Sequence, residues 1–315
     1  MTLMKADRIV VTQDGTQILH PVSLHLEPGE PLVILGETGS GKSLLAQAIM
    51  GTLPHELSAK GRVVLGDRLL DAARPAGFRP LWGREIAVLP QEPWLSLDPL
   101  MRSGEQVAEA HRLVRGLRMS EARAKAGADL DRLGLSAAAR RYPHELSGGQ
   151  RQRVCIAMAV ALRPKLLIAD EPTTALDVTV QAQIMDLLGE LRRDLGMATV
   201  LITHDLGVVA GFCERAIVMY GGQVMEQSEI DPLFAQPTHP YTKGLLAALP
   251  RLDADSTMTP IRGNPPNMTG APTGCPFCPR CDFVEDICAT HMPPLTTFAE
   301  GRARACHRVI EEVAA

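Results

Sequence analysis

The amino-acid sequence predicts an α/β protein built around a mostly parallel β-sheet with helices on both faces. Three apolar runs carry this prediction: PLVILG (31–36), KLLIAD (165–170) and ATVLIT (198–203). Helical patterns separate these runs along the chain. Strands that are apolar on both faces are typical of parallel sheets covered by helices. Ligands bind such sheets at the carboxyl ends of the strands, so the functional residues should directly follow the runs.

The segments between the runs read as helices. One helix is expected to begin at Lys42, soon after the first run. The segment TVQAQIMDLLGELRRDLG, between the second and third runs, has apolar residues at helical spacing, which predicts one core-facing stripe. The residues of this stripe are Val180, Ile184, Leu187, Leu188, Leu191 and Leu195.

Two parts of the chain depart from this alternation. Residues 98–141 contain the helical segments GEQVAEAHRLVRGL and SEARAKAGADLDRLGL with no strand candidate between them, which predicts an inserted helical subdomain at about 98–150. From Ser228 onward the chain is rich in proline, which resists regular secondary structure. We therefore predict a main domain at 1–227 and a separate tail of extended segments and short helices at 228–315.

Composition limits the classes of partner. The 315 residues carry a formal net charge of −4, without the basic excess that nucleic-acid binding requires. The N-terminus lacks the pattern of a signal peptide, and the longest apolar run, VCIAMAVAL (154–162), is too short to span a bilayer. We expect a cytosolic chain, in which clustered cysteines bind metal more often than they form disulfides.

The segment GETGSGKS (36–43) follows the first apolar run and precedes a helical pattern. Glycines at 36, 39 and 41 let successive backbone N–H groups converge on phosphate, and the helix N-terminus adds its dipole. In this pattern Lys42 reaches the β- and γ-phosphates and Ser43 ligates Mg²⁺. Gly36, Gly39, Gly41, Lys42 and Ser43 are thus predicted to bind a nucleotide, rather than to form an ordinary turn.

The second apolar run ends in two acids, Asp170 and Glu171. Acids at a strand end are also common as helix caps. Downstream of a phosphate loop, however, Asp170 is expected to hold Mg²⁺ through its water shell, and Glu171 to polarise the water that attacks the γ-phosphate.

The segment LSGGQ (146–150), followed by a helical pattern, resembles the signature motif of ATP-binding-cassette ATPases. Other motifs of that family follow the same order: Gln91 in AVLPQEP resembles the Q-loop, Asp177 in ALD the D-loop, and His204 in LITHD the switch histidine. The resemblance implies a P-loop NTPase of cassette type over Ile9 to about Gln227. It assigns catalysis to Glu171, His204 and Gln91, with Gln91 also joining Ser43 at Mg²⁺.

The resemblance also implies a head-to-tail dimer of cassettes. Each ATP then lies between the phosphate loop of one subunit and the signature motif of the other, so that ATP joins the two subunits and hydrolysis releases them. Ser147 and the amides of Gly148 and Gly149 precede a helix and can present N–H groups to a γ-phosphate. Ser147, Gly149 and Asp177 are accordingly expected at the nucleotide.

One feature departs from the family pattern. Such cassettes place an aromatic residue upstream of the phosphate loop to stack on adenine, but residues 1–77 contain no Phe, Tyr or Trp. The aliphatic faces of Val11 or Ile18 are the candidates for replacing it.

The tail indicates a branch of the family. LFAQPTHPYTKGLLAALP (233–250), IRGNPP (261–266) and GCPFCPRC (274–281) resemble the C-terminal region of cassettes from oligopeptide, dipeptide and nickel importers. In this interpretation HPYT identifies the branch and is not itself a site. The resemblance implies two transmembrane permease subunits, a second cassette and, indirectly, a solute-binding protein. Such importers often use two different cassettes, which favours a heterodimer over a homodimer.

Five of the seven cysteines lie from Cys275 onward, with the spacing C-x2-C-x2-C-x6-C-x17-C. Thiolates at this density suit an iron–sulfur cluster or zinc. Structural zinc commonly uses two separated C-x2-C pairs, and no second pair is present, so iron–sulfur is favoured. Spacing alone selects Cys275, Cys278 and Cys281, as in bacterial ferredoxins.

The importer resemblance implies a different set of ligands, namely Cys275, Cys281, Cys288 and Cys306 around a [4Fe–4S] cluster. We adopt this set, with Cys278 as a bystander. Zinc, with His307 as a substitute ligand, and free thiols remain the alternatives. The cluster is expected to hold together a tail that is too rich in proline to fold on its own apolar core.

The leading hypothesis is an ATPase that energises a binding-protein-dependent importer of peptides or related small solutes, located at the cytoplasmic face of the membrane. One alternative is a cassette subunit of a soluble assembly, such as a carbon–phosphorus lyase complex. A DNA-repair or ribosome-associated cassette is disfavoured by the acidic balance of the chain and by its single cassette.

Overall fold

A computed structural model describes residues 2–174, 176–209, 211–249, 260–266 and 273–308, except for the side chains of residues 93 and 94. The chain forms two compact units. The first comprises Glu27–Pro31 and Phe78–Ile202; the second comprises Thr2–Leu26, Leu32–Gly77 and the chain from Thr203 onward. Each unit is described by itself.

The described strands and helices are these, in chain order. The strands are β1 (Met4–Gln13), β2 (Thr16–Leu26), β3 (Pro31–Leu35), β4 (Leu57–Leu65), β5 (Arg68–Asp71), β6 (Ile86–Leu89), β7 (Leu166–Asp170), β8 (Ala198–Thr203), β9 (Arg215–Tyr220), β10 (Gln223–Glu229), β11 (Thr296–Ala299) and β12 (Arg302–Arg304). The helices are α1 (Lys42–Met50), α2 (Ser103–Arg115), α3 (Met119–Arg132), α4 (Gly148–Val160), α5 (Val178–Leu195), α6 (Ile230–Ala235), α7 (Pro240–Ala247) and α8 (Asp286–Thr290).

In the first unit, β7 pairs in parallel with β6 on one side and with β8 on the other. The first four residues of β7 are buried, as a parallel strand covered on both faces requires. The register places Leu89 opposite Ala169, so β6 and β7 end at nearly the same level. The loops that begin at Pro90 and Glu171 therefore start side by side.

Helix α5 presents the predicted stripe to the core of this unit. Ile184, Leu188 and Leu191 are buried, and the other stripe residues are half-buried. The helix begins at a capping Asp177 and ends at Gly196, whose φ of 62° permits the left-handed turn that stops it. The helical periodicity thus predicted this helix correctly.

Among the described residues, no strand lies between β6 and β7. That stretch contains α2, α3 and α4 with short 3₁₀ turns. Helices α2 and α3 are joined by a buried His111, whose Nε2 lies 2.7 Å from the carboxylate of Asp129. No described helix combines the length and apolar character needed to cross a bilayer.

The second unit contains an antiparallel sheet in the order β2-β1-β4-β5, which the sequence did not predict. Its apolar alternation is interrupted by register shifts, for example between Ala6 and Ile9, and a shift moves side chains to the opposite face. Val11 is 0% exposed and Ile18 is 7% exposed in this sheet. The expectation that either residue offers a face to adenine is therefore wrong, because both side chains are buried in the protein.

The second unit also contains β3, which pairs in parallel with β9, followed by antiparallel pairs of β9 with β10, β10 with β12, and β12 with β11. Glu226 of β10 lies opposite Arg304 of β12, so residues far into the tail extend the strands of this unit. The division of the chain at residue 227 stays a prediction.

A ring cluster packs the tail of this unit. Tyr220, Tyr241 and Phe277 lie with ring centroids 4.6–5.4 Å apart, and His239 lies 6.2 Å from Phe277. Beside this cluster the carboxylate of Glu226, 0% exposed, accepts hydrogen bonds from the backbone N–H groups of Thr238 and His239 and from the Thr238 hydroxyl. These bonds satisfy a charge that would otherwise be costly to bury.

The cluster makes folding sensitive to acid at His239. Burial, with a smaller contribution from the nearby Arg304, lowers the pKa of His239 from 6.5 to about 4. As the pH falls from 6.5 to 4, His239 therefore takes up a proton in the unfolded chain but stays neutral in the folded chain. We predict that this costs about 3 kcal/mol of unfolding free energy across that window and nothing above it.

Urea denaturation followed by circular dichroism at a series of pH values measures this effect. His239→Asn, which keeps an N-capping acceptor for the Tyr241 N–H, should lose that part of the pH slope. His55→Asn is the matched control, because the His55 side chain is 93% exposed. Equal slopes in His239→Asn and wild type would contradict the assignment.

Candidate nucleotide-binding and hydrolysis site

In the second unit a glycine loop connects β3 to α1. Gly36, Gly39 and Gly41 adopt φ values of 148°, 81° and 98°, which side chains disfavour. Gly36 is the most constrained, because a Cβ there would lie 2.2 Å from the Met219 carbonyl oxygen. The loop thus packs directly on β9 and delivers the chain to the N-terminus of α1.

Lys42, the first residue of α1, is 4% exposed. Its Nζ donates to the carbonyl oxygens of Gly36, at 2.6 Å, and of Glu37, at 3.0 Å. The Ser40 hydroxyl is also buried and has no hydrogen-bond partner within the described chain. Ser43 lies half-buried in the first helical turn, where backbone N–H groups lack intrahelical acceptors. A buried cation, an unsatisfied hydroxyl and a helix N-terminus fit the phosphates of a nucleotide.

In the first unit Glu171 directly follows β7. Its φ of 46° is unusual for a residue with a side chain and is held by a hydrogen bond from its N–H to the Ile202 carbonyl, at 2.8 Å. One oxygen of its carboxylate, Oε2, accepts hydrogen bonds from Gln91 Nε2, at 3.2 Å, and from the Thr174 hydroxyl, at 3.1 Å. Strained backbone of this kind clusters at functional sites.

Gln91 and Glu171 are 80 residues apart in sequence and meet because β6 and β7 end together. Asp170, the last residue of β7, directly precedes Glu171 and is half-buried. Glu171 is 9% exposed, a position suited to a carboxylate that works on a single water molecule.

The signature segment forms the N-terminus of α4. The Ser147 hydroxyl accepts the Gln150 N–H, and the Gln150 side chain accepts the Ser147 N–H, which completes a capping box. A Cβ on Gly149 would lie 2.9 Å from a Val180 methyl group, so glycine permits the close approach of α4 to α5. This cap leaves further N–H groups at the helix end to meet an anion.

The remaining predicted residues lie at element ends. The Asp177 carboxylate caps α5 by accepting the Val180 N–H at 2.9 Å. His204 is exposed and follows β8 directly. Residue 175, in the predicted D-loop, lies outside the described residues.

Sequence reasoning missed three residues that support these loops. Gln152, buried on α4, donates to the Pro172 carbonyl at 2.6 Å and so ties the signature helix to the loop that follows Glu171. In the second unit, Tyr241 and Arg280 contact Glu37 of the glycine loop. HPYT therefore does more than identify a branch, because its tyrosine contacts the phosphate loop. Only the placement of the tail in three dimensions reveals these contacts.

The five clustered cysteines are half-buried and form no disulfide. The Cys275 N–H donates to the Cys288 carbonyl at 2.8 Å, and a Cβ on Gly274 would lie 2.2 Å from that same oxygen. Burial, and then the neighbouring Cys288, Cys306 and Cys281, raises the pKa of Cys275 to about 12. Thiols with raised pKa values stay protonated unless a metal displaces the proton.

The described residues contain no group of three or more His, Cys, Asp or Glu side chains arranged to hold a single metal ion. The described chain therefore gives geometric support neither to the iron–sulfur cluster nor to the zinc alternative. The suggested zinc ligand, His307, instead lies with Nε2 2.9 Å from the His291 carbonyl oxygen.

Comparison with known proteins agrees with this geometry. Residues 19–174 match the ABC transporter family model, and residues 225–288 match the model of the oligopeptide/dipeptide transporter C-terminal region. The oligopeptide transport ATP-binding protein OppD of Salmonella typhimurium is 48% identical over 96% of this chain and 91% of its own length. A putative peptide import ATP-binding protein of Brucella abortus is 47% identical over 90% of this chain and 87% of its own length.

Solved structures show the same fold. CbiO1 of Clostridium perfringens, part of the ABC transporter complex cbiONQ, aligns with a TM-score of 0.64 at 31% identity over 75% of this chain and 91% of its own. The ATP-binding cassette MJ0796, in a dimeric post-hydrolysis state bound to ADP and Pi, aligns with a TM-score of 0.64 at 30% identity over 72% of this chain and 98% of its own.

The fold and the glycine loop define an α/β P-loop ATPase of the cassette class. More particularly, the chain belongs to the family of ABC transporter ATP-binding proteins that carry the oligopeptide/dipeptide transporter C-terminal region.

Removing the Glu171 charge should separate ATP binding from ATP turnover. Glu171→Gln keeps the size of the side chain but cannot accept a proton from water, so we predict that turnover falls by about 100-fold or more while ATP binding persists. Phosphate release and equilibrium nucleotide binding measure the two effects. Glu190→Gln, at an exposed position on α5, is the matched control and should turn over normally. Near-normal hydrolysis in Glu171→Gln would refute its role as the base.

Proposed function

We propose that this chain is the ATP-hydrolysing subunit of a binding-protein-dependent importer of peptides or related small solutes, held peripherally at the cytoplasmic face of the membrane. The match of residues 225–288 to the oligopeptide/dipeptide transporter C-terminal region carries this proposal. The relatives named for oligopeptide transport and peptide import, which match over nearly the whole chain, support it further. Nothing in these relatives favours the carbon–phosphorus lyase alternative.

In this proposal the phosphate loop residues Gly36, Gly39 and Gly41 receive the phosphates, and Lys42 offsets their charge. Ser43 and Gln91 ligate Mg²⁺, and Asp170 holds its water shell. The buried Lys42 and the Gln91–Glu171 hydrogen bond support these assignments.

Glu171 then takes a proton from the attacking water as the bond to the γ-phosphate forms, and the β–γ oxygen leaves with ADP. His204 is the proposed contact to the γ-phosphate. Because Gln91 donates a hydrogen bond to the carboxylate of Glu171, movement of the segment after β6 changes the hydrogen bonding of the base directly. Such coupling is what an ATPase needs if a partner is to control its turnover.

A second cassette completes each site in this proposal. The capped N-terminus of α4, with Ser147 and Gly149, faces a nucleotide bound to the partner, and Asp177 lies near the same interface. The dimeric state named for the neighbouring cassette supports the arrangement. We propose a heterodimer, with residues 98–150 acting as the helical subdomain and 228–315 as the Cys-rich tail.

We propose a permease contact in the first unit. A groove of about 290 Å³ there is lined mainly by apolar residues, among them Trp82, Val88, Pro90 and Met158. Trp82 and Val88 are 38% and 42% exposed, so apolar surface at the groove is accessible to a partner. The groove adjoins Gln91 in sequence, so a permease segment seated there reaches the residue that contacts the catalytic base. A solute-binding protein joins this assembly only through the permeases.

Co-purification from native membranes tests the importer proposal. The bound proteins should be two permease subunits and a second cassette, and a membrane-free assembly with phosphonate enzymes would overturn the proposal.

Val88→Glu places a charge in the groove and should abolish permease co-purification, because burying an unpaired carboxylate is costly. Leu113→Glu, at a 67% exposed position on α2, is the control and should keep the permeases bound. Retention of permeases by Val88→Glu would refute the groove as their contact.

We further propose that a [4Fe–4S] cluster cross-links the tail. Its ligands in this proposal are Cys275, Cys281, Cys288 and Cys306. In such a cluster each thiolate binds a different iron, so the four sulfurs need not converge on one ion. The pKa values of Cys275, Cys281 and Cys306 are raised first by burial and then by other members of this set. Burial also raises the pKa of Cys278, with a smaller contribution from Cys288. The choice of Cys278 as a bystander rests on the importer resemblance.

Metal analysis distinguishes the possible ligand sets. Anaerobically purified protein should contain iron and show the broad visible absorption of an iron–sulfur cluster. Cys281→Ser should lose the iron and Cys278→Ser should retain it, because only Cys281 is a proposed ligand. Zinc without iron would overturn the cluster, and equal iron loss in both variants would favour the ferredoxin-like set.

A further inference from the structure

The second residue of the phosphate loop, Glu37, is an acid in a loop that binds a polyanion. Its carboxylate forms a two-pronged ion pair with Arg280: Nη1 donates to Oε2 at 2.7 Å, and Nη2 donates to Oε1 at 3.2 Å. The two residues are 243 positions apart in sequence, and both lie in the second unit. The Arg280 side chain is only 6% exposed and that of Glu37 is 24% exposed, so solvent screens this pair weakly.

The guanidinium of Arg280 is fixed by further contacts. Nε donates to the Arg262 carbonyl at 2.7 Å, Nη2 donates to the Ile261 carbonyl at 3.3 Å, and Nη1 lies 3.0 Å from the Tyr220 hydroxyl. Two carbonyls and one hydroxyl thus aim the planar group at Glu37. A guanidinium held in this way loses little further entropy when it binds a carboxylate.

The backbone of Glu37 is fixed as well. Its N–H donates to the hydroxyl of the fully buried Tyr241 at 2.9 Å, and its carbonyl accepts from Lys42 Nζ at 3.0 Å. The N–H, the carbonyl and the carboxylate of this one residue therefore each have a defined partner. Two of the three partners, Tyr241 and Arg280, come from the region that matches the transporter C-terminal model.

A bare carboxylate in the phosphate loop would repel the phosphates of ATP. A guanidinium held against it removes that repulsion and stops the carboxylate from turning toward Lys42. We propose that Arg280 is a positioning residue for nucleotide binding: by neutralising and orienting Glu37, it lets the C-terminal region set the affinity of the phosphate loop for ATP. The inference rests on ATP binding and is independent of the transported solute.

Three variants test the charge argument on the full-length chain, with a fluorescent ATP analogue as the probe at low salt. Arg280→Gln leaves Glu37 uncompensated and should weaken binding by about tenfold. Glu37→Gln removes the repulsion and should bind at least as tightly as wild type. The double variant Glu37→Gln/Arg280→Gln should return to near wild-type affinity, since neither charge remains.

Two further measurements separate an electrostatic role from a merely structural one. The deficit of Arg280→Gln should shrink as sodium chloride is raised, because salt screens the repulsion between Glu37 and the phosphates. Arg280→Lys, which keeps the charge but not the paired hydrogen bonds, should lose less affinity than Arg280→Gln.

The matched control is Arg302→Gln. Arg302 lies in β12 of the same unit, beyond the matched residues 225–288, and its Nη2 donates to the Gln236 carbonyl at 2.6 Å. It should bind the probe as wild type does, and circular dichroism should show that all the variants are folded. Unchanged binding in Arg280→Gln, or a double variant as weak as Arg280→Gln, would overturn the proposal, as would weaker binding in Glu37→Gln.

Discussion

The register of short parallel strands determines where each functional loop begins. In the second unit Leu35 pairs with Val218, so Gly36 comes against Met219, and a side chain at 36 would collide with the Met219 carbonyl. In the first unit Leu89 pairs with Ala169, and the next residues include Gln91 and Glu171. A slip of one residue in either pair would change which residues beyond the strands lie opposite each other, and would so separate the polar residues there. The geometry of each part of the site therefore depends on hydrogen bonds between strands that contain no catalytic residue.

Several of the few aromatic residues of the chain pack together and also form hydrogen bonds. Tyrosine and phenylalanine number only 3 and 6 in 315 residues, yet Tyr220, Tyr241 and Phe277 pack in one buried cluster of the second unit. Both tyrosines also use their hydroxyls, Tyr220 toward Arg280 and Tyr241 toward the Glu37 N–H. Buried tyrosine commonly combines an apolar body with a satisfied polar end. Here that combination lets one apolar cluster hold both the tail and the phosphate loop.

Two buried charges of this unit, Glu226 and Arg280, have several partners each. Glu226 accepts three hydrogen bonds from the segment that leads into α7, and Arg280 donates to an acid, a hydroxyl and two carbonyls. Such groups add little net stability compared with apolar residues, but they are costly to leave unpaired. Their effect is to permit one arrangement of the tail and penalise the others. A tail rich in proline and poor in regular structure gains a defined position in this way.

The sequence by itself determined the α/β class, the cassette family, the nucleotide chemistry and the existence of helix α5. It could do so because these properties depend on local patterns: apolar runs, glycine spacing, helical periodicity and motifs in a fixed order. It did not predict the sheet of β1, β2, β4 and β5, because register shifts interrupt the alternation there. Nor did it predict that Val11 and Ile18 are buried, since one strand pattern fits either face.

Only the tertiary structure decided that Gln91 and Thr174 both donate hydrogen bonds to the carboxylate of Glu171. It also decided that Tyr241 and Arg280 contact Glu37. These contacts join residues from different strands, helices and loops, and no local pattern encodes a distance across 204 or 243 positions. Local sequence specifies which groups can bind a phosphate, whereas long-range packing specifies which other charges surround them.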